Sequence, residues 1–235
     1  MIKTTYKNVK FMKKVLGKPN ETNSKLISLI QRTKINNFYL KNRKDFRDQI
    51  LSNIDPNDDV LDIGKAMRDK HQKIVSKSLV TLDVNDFGSY PDIVCDICSD
   101  LTSLENKYDK IICIAILEHV YDPFKAVSNL KMMLKNDGKV FGYVPYLYYY
   151  HAPQDLKFQD YFRFSKDALA YLFKDFSEVE LYPIRGRISS SFHMMFAGRW
   201  KNYMEKTNIN ILLDKLSSNE KNLKQCSGFN FIVKK

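Results

Sequence analysis

Asp62, Asp83 and Asp96 stand in or at the end of short apolar runs, VLDIG at 60–64, SLVTLDV at 78–84 and DIVCDI at 92–97. A carboxylate at the end of a buried strand is placed to accept hydrogen bonds from a ligand beyond the sheet edge, and both hydroxyls of a diol can donate to it. Asp83 follows Asp62 by 21 residues, close to the roughly 20 at which an acidic residue meets a ribose. On spacing alone, an N-cap or turn aspartate is an equal reading. Asp96, taken singly, reads more readily as a loop aspartate, but a third acid at a successive strand end places it near an adenine edge. Gly64 ends the first run as a nucleotide-binding strand would. Lys65, Ala66, Met67 and Arg68 follow it, where further glycines would normally let a ligand approach the backbone.

Proton transfer has its own candidates. His151 comes six residues after KVFGYVP (139–145), in a tyrosine-rich loop, and an imidazole is suited to take a proton near neutral pH. His119 follows Glu118 in AILEHV; for it a packing role ranks ahead of a catalytic one. Asp160 and Arg163, three apart in QDYFRF, share a face of a turn. Arg163 either clamps a phosphate or carboxylate of a substrate or pairs with Asp160 to shape the loop, and the two readings weigh equally. Tyr146, Tyr148, Tyr149, Tyr150 and Tyr161 either stack on sugar rings or pack beneath the segment that follows. Arg185 and Arg187 of RGR read first as a solvated turn and second as a contact for a diphosphate. His71 and His193 have no companions in sequence and read as structural or exposed. Cys95 and Cys98 form a CxxC with no second pair, so reduced thiols are expected rather than zinc. No spacing of acidic and histidine residues demands a metal, and none is expected.

The elements that would position these residues alternate. Strand-type runs at 60–64, 78–84, 92–97, 110–116 and 139–145 are separated by helical or polar segments, with further strands at 177–184 and 227–235. That pattern implies a mostly parallel sheet covered on both faces by helices, with ligands beyond the carboxyl ends of its strands. Asp122 and Pro123 open one helix with an apolar stripe at Phe124, Val127, Leu130 and Leu134, and Asp137-Gly138 ends it. Ser165 caps another. Residues 1–50 read as a helical cap and 51–235 as the sheet domain, with a partly helical insertion at about 185–226.

The chain of 235 residues carries a net charge of +11. Residues 1–50 hold ten lysines and three arginines against Glu21, Asp45 and Asp48, a net +10. A solvated helical face is the first reading of this segment; peripheral contact with anionic lipid or a phosphate-bearing substrate is the second. Specific nucleic-acid binding is not expected, because aromatic residues do not alternate with the charges. No run approaches a membrane span and the N-terminus lacks a signal-type apolar segment, so a cytoplasmic protein is expected.

The succession VLDIG, LDV, DIVCDICSDL and YDKIICIAILEHVYDPFKAVSNLKMMLKNDGKVFGYVP, over about 55–145, resembles the class I S-adenosylmethionine-dependent methyltransferases of the type 11 group. The run to Phe173 looks like members encoded among surface-polysaccharide genes. The resemblance implies a Rossmann-like α/β fold with a seven-stranded sheet and an N-terminal helical cap. It also implies S-adenosylmethionine as cofactor and methyl transfer to an oxygen or nitrogen, on a sugar of a glycan or its precursor. Asp62 and Gly64 would lie along its methionine part, Asp83 would hold the ribose, Asp96 and Ile97 would frame the adenine, and Ala115 and Ile116 would pass beneath the sulfonium. The departure is the glycine-poor loop, where Lys65 or Arg68 would reach the cofactor carboxylate. Two alternatives stand beside this: a small-molecule or lipid methyltransferase of the same fold, and a non-catalytic scaffold with a degenerate cofactor site.

Overall fold

The computed structural model describes residues 28, 33–35, 43–152, 157–195 and 209–235. Its strands are β1 (Lys34–Ile35), β2 (Asp59–Ile63), β3 (Ser78–Asp83), β4 (Ile93–Val94), β5 (Tyr108–Ile114), β6 (Leu134–Pro145), β7 (Glu178–Ile184) and β8 (Gly228–Lys234). They form one sheet in the order β1-β7-β8-β6-β5-β2-β3-β4. Among the described residues only the β8 pairings are antiparallel. From β2 the chain winds outward through β3 to β4, then returns to lay β5 and β6 on the other side of β2. The reversal lies between β2 and β5, where a doubly wound sheet opens a crevice.

Among the described residues the sheet has eight strands where seven are expected. The additional one is β1, inside the segment read as a helical cap, where Lys34 pairs with Glu180 and Ile35 with Leu181 of β7. A two-residue strand is enough to blunt an otherwise open sheet edge. The helical reading of residues 24–31 lies outside the described residues, apart from Ser28.

Helices cover both faces. On one, α1 (Arg43–Ser52) buries Phe46 and Ile50, one turn apart, against Val60, Ile112, Ile114 and Phe141. On the other, α2 (Pro123–Met133) and α3 (Lys166–Leu172) bury Val127, Leu130, Leu169 and Leu172 against the larger core. Asp122 and Ser165 cap them by accepting from the amides of Lys125 and Ala168. The α2 stripe differs from its sequence reading at both ends. Phe124 is half exposed, and Leu134 is already the first residue of β6. Asp137-Gly138 therefore lies inside a strand rather than after a helix; Asp137, at φ 62°, sits where β5 and β6 shift register.

Residues 185–226 contain α4 (Arg187–Met195), α5 (Ile209–Asp214) and α6 (Asn219–Lys224). Buried Asp214 ties α4 and α5 together, accepting from the amides of Gly186 and Ser189 at 2.6 and 3.0 Å. Arg185 and Arg187 belong to this cluster: Arg185 donates to Ser227 Oγ, and the Arg187 amide donates to Asn222 Oδ1. Neither is among the residues that line the crevice described below.

Candidate active site

A cavity of about 390 Å³ opens at the carboxyl ends of β2, β3, β4 and β5, a size ordinary for a small-molecule site. Gly64, Lys65 and Ala66 form one wall, Leu82 to Asn85 and Phe87 a second, Cys95 to Ile97 a third, and Ile114 to Ile116 the floor between them. The remaining side comes from His119, Val120 and Tyr121 after β5 and from His151, Lys157, Phe158 and Tyr161 after β6.

Gly64 adopts φ +80°, and a Cβ there would come within 2.5 Å of Ile116 Cδ1. Its amide donates to Leu82 O and its carbonyl accepts from the buried Tyr90 hydroxyl. The residues after it are held by side chains instead of glycine turns. Met67 is fully buried, and Arg47 of α1 donates to Ala66 O at 3.0 Å and pairs with Asp69 at 2.7 Å. Lys65 lies over the Phe87 ring on the cavity wall, whereas Arg68 lies over Tyr90 and does not line the cavity. Of the two cations expected to reach a cofactor carboxylate, only Lys65 borders the cavity.

Asp83 lines the cavity with its carboxylate oriented by the Asn85 amide, which donates to Oδ1 at 2.9 Å; among the described residues no hydrogen bond engages Oδ2. Asp96 accepts from the Cys98 amide at 2.8 Å, and Asn129 of α2 donates to the carbonyls of Ile97 and Ser99, so the third wall is fixed from both directions. Asp62 is elsewhere. It is fully buried outside the cavity lining, with Oδ2 2.6 Å from His71 Nε2 and, among the described residues, no partner for Oδ1. Burial raises its pKa, and the bond to His71 opposes that rise. His71, which has no companion in sequence, therefore has one in space.

Ala115 carries φ +57° at the cavity floor, a backbone region that costs an L-residue about 1 kcal/mol or more. Ala115→Gly is expected to raise stability by about 1 kcal/mol, read as a higher denaturant midpoint at unchanged slope.

The turn Leu117–His119 after β5 meets the segment 157–163 through its backbone. Tyr161 and Phe162 amides donate to Glu118 O, and His119 Nδ1 lies 2.7 Å from Gln159 O. Asp160 is a structural hub rather than a cavity residue. Its carboxylate takes both terminal nitrogens of Arg163 and the His151 amide, and Arg163 also donates to the carbonyls of Tyr148 and Tyr149. Burial would raise the Asp160 pKa, but Arg163 and the His151 amide outweigh it and hold the carboxyl at about 2. Of the two readings of QDYFRF, the pairing of Asp160 with Arg163 is the one formed, and neither residue is among those that line the cavity.

His151 does line it, with Nε2 3.6 Å from Glu118 Oε1 and Nδ1 3.2 Å from Asp160 Oδ2. The Glu118 carboxylate raises its pKa, burial opposes this, and Asp160 adds to the rise. His119 stands edge-on to it, with ring centroids 4.8 Å apart. Of the tyrosines read as sugar platforms, only Tyr161 borders the cavity; Tyr148 and Tyr149 stack on each other and on His193 of α4. Tyr121 is a cavity residue that the sequence reading missed.

Residues 47–142 match the family model of a methyltransferase domain. The fold is of the Rossmann-like methyltransferase type. It is similar to that of the phosphoethanolamine N-methyltransferase 2 of Haemonchus contortus, solved with phosphomonomethylethanolamine and S-adenosylhomocysteine, at 15% identity and TM-score 0.50. That alignment covers 95% of this chain and 58% of the other. It is also similar to the [4+2]-cyclase SpnF, at 13% identity and TM-score 0.52, over 92% of this chain and 96% of that one. An S-adenosylmethionine-dependent methyltransferase of Archaeoglobus fulgidus matches at 15% identity and TM-score 0.47, over 80% and 94% of the two chains. No curated protein matches the sequence. At such identities the likeness is one of fold, and a fold that serves a named cyclase leaves the reaction to be argued from the site.

The cavity offers a nucleoside what it needs: a carboxylate at the end of β3 with one oxygen unengaged among the described residues, a fixed wall at Asp96 and Ile97, and a glycine whose φ admits no branched side chain. These residues fit S-adenosylmethionine.

Proposed function

We propose that the chain transfers a methyl group from S-adenosylmethionine to an oxygen or nitrogen atom, on a sugar of a glycan or its activated precursor. The observation that carries the cofactor half is Asp83, oriented by Asn85 on the wall of a cavity that Gly64, Ile97 and Ala115 also line. When bound, the cofactor supplies a methyl group on a sulfonium, open to displacement by an acceptor aligned with it. In this reading Asp83 holds the ribose, Asp96 and Ile97 frame the adenine, and Lys65 approaches the methionine carboxylate.

The protein's remaining task is to orient the acceptor and take its proton. His151 is assigned the proton: it borders the cavity and its raised pKa makes it the stronger base. The sugar assignment draws on the resemblance of the segment up to Phe173, and on Tyr121 and Tyr161, which border the cavity and are 63% and 52% exposed, as rings that stack on a sugar must be.

Calorimetric titration with S-adenosylmethionine and S-adenosylhomocysteine tests the reading. Micromolar binding is expected, weakened at least about 100-fold in Asp83→Ala, the scale of a lost charge-assisted pair of hydrogen bonds. Absence of binding by the folded protein would replace this reading with that of a scaffold.

A further inference from the structure

Glu118 is fully buried, and among the described residues neither carboxylate oxygen has a hydrogen-bond partner. Buried carboxylates are ordinarily hydrogen-bonded, paired or bound to a metal. What faces it is a pair of imidazoles. Oε1 lies 3.6 Å from His151 Nε2 and 3.9 Å from His119 Nε2, and one ligand atom from each of the three residues falls within 4.8 Å of the others.

The outer contacts of both rings suit the same conclusion. His119 Nδ1 is 2.7 Å from Gln159 O, and a carbonyl only accepts, so the proton sits on Nδ1 and Nε2 keeps its lone pair. His151 Nδ1 lies 3.2 Å from both Tyr149 O and Asp160 Oδ2, which directs its proton the same way. A carbonyl or carboxylate behind each ring, with both free nitrogens turned on one carboxylate, is how metal-ligating histidines are oriented.

We propose that Glu118, His119 and His151 bind one first-row divalent transition cation on the cavity wall, with coordination positions open to the cavity. Ligands about 2.1 Å from such a cation lie about 3.4 Å apart in tetrahedral geometry, so the Glu118 contacts need close by only a few tenths of an ångström. Two imidazoles and one carboxylate favour zinc, manganese, iron or cobalt over magnesium or calcium, which take oxygen ligands. The sequence hides the site because its third ligand stands 32 residues from the second and reaches it only through the Asp160–Arg163 strap.

The purpose of the site rests on the methyl-transfer reading, though its existence does not. A bound cation would hold an acceptor oxygen and render its proton acidic, the proton leaving to solvent. A ligating His151 is no longer a free base, so the cation would take over the task assigned to it above.

The test is titration of untagged, chelator-treated protein with cobalt(II), followed by visible ligand-field absorption, with calorimetry for zinc, manganese and magnesium. One equivalent of cobalt is expected, with magnesium bound at least about 100-fold more weakly than zinc. Glu118→Gln and, as a variant at a more exposed ligand, His151→Gln should each abolish the cobalt spectrum while circular dichroism is retained. No cobalt spectrum, or one unchanged in both variants, overturns the proposal. A parallel titration with S-adenosylhomocysteine separates the two readings, because cobalt binding without cofactor binding upholds the metal site and sinks the methyltransferase.

Discussion

Gly64→Val is expected to abolish cofactor binding and to lower stability by about 3 kcal/mol, combining backbone strain with a clash. A β-branched residue has no comfortable conformation at φ +80°, and even the first carbon of the new side chain would meet Ile116 Cδ1 at 2.5 Å. Relaxing the backbone is no remedy, since the Gly64 amide and carbonyl are both engaged, by Leu82 O and the Tyr90 hydroxyl. Thermal unfolding reads the stability change, and titration with S-adenosylhomocysteine below the lowered melting temperature reads the binding. Retained affinity in the folded variant would show that the cofactor does not pass this strand end.

Asp160→Asn should cost about 3 kcal/mol, the low end of the range for breaking a buried ion pair, and lower the melting temperature by about 5–10 °C. The carboxylate side chain is 1% exposed and holds Arg163 and the His151 amide at once, so the variant leaves a guanidinium without its partner beneath Tyr148 and Tyr149. The pH dependence gives a second measurement. The folded pKa of about 2 lies below the ordinary 3.8, so the stabilisation is present above about pH 4 and is lost as pH falls toward 2. Over that window it amounts to about 2 kcal/mol. Acid titration of the wild type should show this loss, and Asp160→Asn should remove that component of it. Equal acid profiles would mean that Asp160 is not the group responsible.

Much of the fold is legible because the buried strands are apolar and short and their separators polar: all seven strand runs found in the sequence appear as strands. The eighth was not, since two residues carry no period and β1 exists only by pairing with β7. The cavity lining was legible where position depends on a strand end, as for Gly64, Asp83, Asp96 and Ala115. It was not legible where position depends on partners far along the chain. Arg68 turns to Tyr90 and Asp62 to His71, pairings the sequence does not suggest, whereas the Asp160–Arg163 pair is one of the two readings that QDYFRF offers. Asn129, Tyr90 and Arg47 left no signal at all, because each acts by gripping a backbone carbonyl of a distant loop.

The grip of Arg47 on the Ala66 carbonyl reaches beyond the loop itself. A glycine-rich loop keeps its shape from its own backbone and can be inherited as a cassette. Here the shape is lodged in a helix 19 residues upstream, so Arg47, Ala66 and Asp69 constitute one heritable unit split between two elements. Grafting the stretch 64–69 into a relative without its arginine would transplant the letters and leave the conformation behind.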